Sequence, residues 1–320
     1  MSKKLPWYAA SASVLTAASV ALAATPASAV SAPLHDARIA AHFDLVAGQT
    51  PENVALTPGD AADVTFAAGR QIAEVSPSGA VRVLATLPEP ADGGVHTPVL
   101  GFPLTVGITR AGDGTLYFLY ATGTADLTGV WRLRPGGRPQ RIAALPAGGL
   151  PNGLALDQDT GTLYVTDSVL GTVWRVSSAG GTPAAWSTAP ELAAAGFLGA
   201  NGLKLRGGAV WVTNLDRGTV LRIPIRRDGS AGAVRTVATG LTGVDDFAFT
   251  GRGDELLAAL NGPSEVALVR PDGSHTIVLT PADGLQNPTS VAVRGSTVYV
   301  FSAAYVTARD PNLVVAHLGC

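Results

Sequence analysis

One pattern returns six times along this chain, and few folds accept such a repeat. Its clearest copy opens at Pro151 and reads PNGLALDQDTGTLYVTDSVLGTVWRVSSAGGTPAAWST. Strand-length runs rich in Val, Leu, Tyr, Trp and Thr occupy residues 153–157, 162–167 and 172–177, with a weaker fourth at 183–188. Gly, Asp, Ser and Pro punctuate them, as turns require. Further copies open at Pro51, Leu104, Ala200, Val244 and Pro288. The second residue of each opening serves as a marker: Glu52, Thr105, Asn152, Asn201, Asp245 and Thr289, spaced 44 to 53 residues apart. A four-stranded unit at a period of ~40–50 residues predicts an all-β fold, a six-bladed β-propeller of four-stranded blades. Stacked helical repeats would need a 3.6-residue apolar period, which is missing here. A five- or seven-bladed ring and an open sandwich are the competing architectures.

The sixth unit has strands at 288–293, 297–303 and 313–318 and lacks an outer one. The segment ARIAAHFDLVAGQTPENVAL, from Ala37, parallels QRIAALPAGGLPNGLAL, from Gln140, where an outer strand leads into the next blade. Residues 37–44 are therefore expected to complete the last blade and close the ring, which removes a sticky sheet edge. One propeller domain over 30–320 follows.

The first strand of each blade lines the channel of a propeller, so residues opening those strands converge at one mouth. All six markers bear a side-chain oxygen. Two carboxylates (Glu52, Asp245) and two amides (Asn152, Asn201) form a hard donor set for a divalent cation, with Ca²⁺ the expected ion. Asp167, Asn214 and Asn261 end second strands, which return to the same mouth. Together with Thr105 and Thr289 they are candidates to support that set or touch substrate. Asn-Gly and Asp-Asp are also ordinary turn signals. Glu52 is not explained that way, because a carboxylate at a channel mouth needs water, a partner or an ion. Asp246 is an alternative to Asp245, and strand alternation favours Asp245.

The repeats resemble those of the senescence marker protein/gluconolactonase family of six-bladed propellers, most closely over 151–177 and 200–225. More distant kin of that family are the paraoxonases and strictosidine synthase. Its metal site takes Glu, Asn, Asn and Asp from four blades. The resemblance implies that Glu52, Asn152, Asn201 and Asp245 hold the ion, with none from blade two. It also implies hydrolysis of a lactone or organophosphate, with Asp245 as ligand and general base. The family's Glu-Gly-Pro opening is replaced by Glu52-Asn53-Val54, and its sugar-binding loop is shortened to AGGLPNG.

The N-terminus reads as an address. Lys3 and Lys4 precede an apolar stretch at 7–24, and Ala27-Ser28-Ala29 offers a cleavage site. Residues 1–29 are thus a secretory signal peptide with cleavage after Ala29, and the mature chain is expected outside the cytoplasm without a membrane span. A formal charge of −2 with no later basic run excludes nucleic acid as the main partner. The single Cys, Cys320, excludes an internal disulfide framework and a thiolate metal cage. A monomer acting on a small molecule is expected. His96 lies in the long insertion EPADGGVHTPVLGFPL between blades one and two, which can fold over the mouth. The remaining histidines, and Trp131, Trp174 and Trp211, read as surface or packing residues.

Two other functions fit the same fold. One is a non-enzymatic extracellular propeller that binds a protein or a glycan with its loops. The other is a secondary-metabolism cyclase or isomerase using the same pocket, since the propeller does not fix the reaction.

Overall fold

The six marker regions fold as the inner strands of six sheets: Pro51–Leu56, Leu104–Arg110, Pro151–Asp157, Ala200–Arg206, Val244–Phe249 and Pro288–Arg294. The structure, a computed structural model, describes residues 33–319; the signal peptide expected at 1–29 and Cys320 lie outside the described residues. Every sheet has four antiparallel strands. In the first five blades they follow in chain order from the axis outward. Each inner strand packs against the next around the ring, and Pro288–Arg294 packs against Pro51–Leu56 to close it.

The sixth blade is completed by the N-terminal strand Leu34–His42, which pairs with Asn312–Leu318. Leu34 lies opposite Leu318 and His42 opposite Asn312. This strand begins three residues before its expected start, because Leu34 finds a buried place beside Leu318. Phe43 follows it and reaches both neighbours of the seam. Its ring meets Phe66 of blade one edge-on at 5.3 Å and stacks on Phe301 of blade six at 6.3 Å. Edge-to-face and stacked arrangements are those the aromatic quadrupole favours.

Apolar side chains gather into six clusters, one at each blade interface. Strand alternation explains this: both faces of each blade meet a neighbour, so middle strands such as Leu116–Ala121 are buried at every position. Outer strands such as Val81–Thr86 have one side in water and carry Arg and Thr. Trp211 is 2% exposed and meets Phe249 of the next blade edge-on at 5.1 Å, the packing role expected of it. Among the described residues there is no α-helix, only 3₁₀ turns at Pro190–Leu192 and Pro281–Asp283. No helix there is long and apolar enough to cross a membrane.

Candidate functional site

All six inner strands break register at the marker or just after it. The irregularity falls between Pro51 and Asn53, Thr105 and Ile108, Pro151 and Leu154, Ala200 and Leu203, Val244 and Phe247, and Pro288 and Ser290. A bulge re-aims the side chain beside it; five markers fall inside the break, while in blade two Thr105 still pairs with Tyr120 and the break follows it. Hydroxyls then stitch the marker backbone to neighbouring blades. Thr166 donates to the Asn201 carbonyl, and Thr213 Oγ1 donates to the Asp245 carbonyl at 2.5 Å.

The glycines after Asn152 and Asn201 serve this stitching. Both Asn-Gly pairs lie within strands, not in turns. A Cβ on Gly153 would collide with the Asn201 carbonyl, and one on Gly202 would lie 2.7 Å from Asp246 Cα. Glycine is required for close backbone approach between blades.

The result is a cavity of about 270 Å³ that brings together Glu52, Asn152, Asn201 and Asp245 with Asn261 and Tyr305. All four markers in that set are buried. The Tyr305 hydroxyl donates to Glu52 Oε2 at 2.5 Å, and Asn261 Nδ2 donates to Asp245 Oδ2 at 3.3 Å. Asp246 takes the other direction: Lys204 Nζ lies 2.7 and 2.6 Å from its two oxygens, and Asn53 Nδ2 lies 3.4 Å away. Asp245 is thus the carboxylate that lines the cavity, as strand alternation requires.

Negative charge is crowded here. Burial pushes the Glu52 carboxyl up to about 7 against the pull of the Tyr305 hydrogen bond, with the Asp246 charge adding to the rise. Asp245 is raised well above the usual carboxylate range by burial, then by the charges of Glu52 and Asp246; Asn201 and Asn261 oppose this. Tyr305 is raised by burial of its hydroxyl and by Glu52, although an edge of its ring reaches solvent. Two carboxylates that cannot ionise comfortably together await a counter-charge.

No family model matches the chain, and no curated protein matches it. Solved structures do. A gluconolactonase from Xanthomonas campestris has a TM-score of 0.63 at 18% identity, over 93% of this chain and 99% of that one. Regucalcin from Agrobacterium tumefaciens, a calcium-binding protein, has a TM-score of 0.63 at 16% identity, over 88% and 94%. A virginiamycin B lyase from Staphylococcus aureus has a TM-score of 0.59 at 16% identity, over 85% and 82%. The chain shares the six-bladed fold of gluconolactonase and regucalcin. At these identities the likeness is one of fold.

Within this gluconolactonase-like propeller the other candidate residues fall into different places. Thr105 Oγ1 donates to the Phe66 carbonyl at 3.0 Å and Thr289 Oγ1 to the Pro51 carbonyl at 2.8 Å, so both stitch blades and neither lines the cavity. Asp167 Oδ1 accepts from the backbone of Leu150, Val169 and Leu170, and Asn214 holds the Glu191 and Ala193 carbonyls. Those two organise loops beside the mouth. Asn261 alone of the three reaches the cavity. His96 points outward and pairs with Asp92 at 2.6 Å, while Leu100 and Phe102 of the same insertion line the wall. Tyr305 is not among the candidates read from sequence. It comes from the loop 303–311 between the second and third strands of blade six, which is longer than its counterparts in the other blades.

One observation tests whether a cation fits. Asn201 Oδ1 is buried without a hydrogen-bond partner among the described residues, on a wall it shares with Glu52 and Asp245. A buried carbonyl oxygen without a donor is costly, and a cation satisfies it together with both carboxylates. Among the described residues no three His, Cys, Asp or Glu side chains group as a metal cage. The donor set is two carboxylates and two amides, all hard oxygens, which suits Ca²⁺ and leaves positions for water and substrate.

Proposed function

We propose that this chain is an exported, monomeric metal-dependent hydrolase of a lactone or related ester, with the ion held by Glu52, Asn152, Asn201 and Asp245. The observation that carries it is the unpartnered Asn201 Oδ1 beside two carboxyls whose protons are held abnormally tightly. The fold shared with a gluconolactonase and with calcium-binding regucalcin supports the same reading.

A divalent cation bound there supplies Lewis-acid polarisation of the ester carbonyl. The chain's own groups do the rest. Asn261 Nδ2 orients Asp245 through Oδ2, and a general base must be held within reach of the proton that it takes. Asp245 accepts a proton from the attacking water as the water oxygen bonds to the carbonyl carbon. The ring C–O bond then breaks, the leaving oxygen takes that proton back, and the product is a hydroxy acid. Tyr305 holds Glu52 by one oxygen, leaving the other for the ion.

Elimination by a histidine base is disfavoured. The Staphylococcus aureus lyase is catalytically inactive when one of its histidines is replaced by alanine, and no described histidine lines the present cavity. The test is calorimetric titration of the chelated protein with Ca²⁺, followed by assay of lactones and esters with product analysis. Stoichiometric binding and a hydroxy acid product are expected. No ion binding, or full activity in Asp245→Asn, would overturn the reading.

A further inference from the structure

We infer that the cavity selects lactones or esters carrying an apolar ring or chain and rejects polyhydroxylated ones; this rests on the hydrolytic reading above. Polar side chains in the cavity belong to one patch. Glu52, Asn152, Asn201, Asp245 and Asn261 are the ion and base machinery, with Tyr305 bonded to Glu52. The remaining wall is apolar, made of Leu, Phe and Val side chains that include Leu100, Phe102, Phe197, Leu198 and Val306. Among the described residues no Arg, Lys, His, Gln, Ser or Thr lines it. A sugar lactone entering with its carbonyl on the polar patch would press its hydroxyls against Leu and Phe, where they lose water without gaining a partner. An apolar substituent in the same place is removed from water.

This collar is built and held. Phe197, 48% exposed, sits on a loop whose Ala195 and Phe197 amides donate to Asp216 Oδ2 at 2.7 and 2.8 Å. Val306, 78% exposed, donates its amide to Asn287 Oδ1 at 3.0 Å. Phe102 belongs to the insertion between blades one and two, which is seated on blade two where Gly123 abuts the His96–Thr97 backbone. Three separate loops therefore hold apolar side chains at the entrance, where solvent alone would not favour them. The cavity of about 270 Å³ is on the scale of a small-molecule site.

The test uses the Ca²⁺-loaded mature chain and two kinds of probe. Hydrolysis of γ-phenyl-γ-butyrolactone is compared with that of glucono-δ-lactone. Binding of 3-phenylcyclopentanone, which cannot be hydrolysed, is compared with that of glucitol by thermal shift and calorimetry. The phenyl lactone should have a kcat/KM about a hundredfold higher, and only the ketone should bind. Phe102→Ser and Phe197→Ser should each weaken ketone binding about tenfold while leaving Ca²⁺ affinity unchanged. Preference for glucono-δ-lactone would overturn the inference and leave the hydrolase standing. Ketone binding with no lactone hydrolysed would do the reverse. Absence of ketone binding overturns the apolar preference whatever is hydrolysed.

Discussion

Tyr305 and Glu52, more than 250 residues apart, are joined by a hydrogen bond of 2.5 Å between the phenol and Oε2. The contact spans the ring's seam, since Glu52 opens blade one and Tyr305 belongs to blade six. A phenol donating to a carboxyl oxygen makes a strong bond once that carboxyl is ionised, and this one fixes which oxygen of Glu52 is spoken for. Removing it in Tyr305→Phe leaves the fold intact and lets the carboxylate rotate. Groups that orient a metal ligand are worth about 10–100-fold in affinity. Ca²⁺ affinity measured by calorimetry should fall within that range, with little change in melting temperature.

In the proposed site proton and cation would compete for the same oxygens, which sets a pH dependence. Glu52 is raised from an ordinary 4.5 to about 7 in the folded chain. The folded state therefore holds this proton more tightly than the unfolded state. Its stabilising effect is complete below pH 4.5 and is lost as pH rises through about 7. Chelated protein should melt at a lower temperature at about pH 8 than at about pH 5. Saturating Ca²⁺ should reverse that order, because the ion binds the deprotonated site. Glu52→Gln should reduce the pH dependence of the chelated protein without abolishing it, because Asp245 is raised as well, and a scanning calorimeter reads all three.

Phe43 packs at the seam where the ring closes. Phe43 lies between Phe66 and Phe301 and is 6% exposed. Phe43→Ala empties the seam on the side where the N-terminal strand enters, at a cost of ~3–5 kcal/mol. Chemical denaturation should show that loss. Amide exchange should rise first along Leu34–His42, the strand that closes the blade.

Gly202 links the repeat pattern to the site more directly than any asparagine does. Gly202→Ala places a methyl 2.7 Å from Asp246 Cα, so two inner strands must part. Overpacking of this kind costs ~1–3 kcal/mol, and the spreading should weaken ion binding as well. Denaturant melts and Ca²⁺ titration of the same variant check both.

What could be read in the chain follows from what repeats. Markers are legible because each opens the inner strand of a repeated unit, and the strands of the copy at Pro151 fall within two residues of their expected bounds. The pairing of 34–42 with the last blade was legible for the same reason: it copies an outer strand elsewhere. Tyr305 was not, since its loop is longer than the same loop in the other blades and its added residues carry no period. His96 shows the same limit from the other side. Its insertion does reach the mouth, but which side chain turns inward depends on local loop backbone, and Leu100 and Phe102 take that place.

Asp245 and Asp246 are chain neighbours with opposite faces and separable tasks. Asp245→Asn keeps the shape and hydrogen bonds of the cavity but removes a ligand charge and the proposed base. Turnover should vanish and Ca²⁺ affinity should drop, while stability rises or holds because a repelling carboxyl is gone. Asp246→Asn acts elsewhere. Lys204 loses a partner at 2.6 Å in a place where that carboxyl is 2% exposed. Breaking such a pair from one side costs about 3 kcal/mol, because the remaining charge stays largely buried. Lys204→Met in that background should recover much of the loss by removing the stranded ammonium. If Asp246→Asn instead leaves stability untouched and abolishes turnover, the assignment of the two carboxylates is reversed, and the strand register that separates them is not what positions the site.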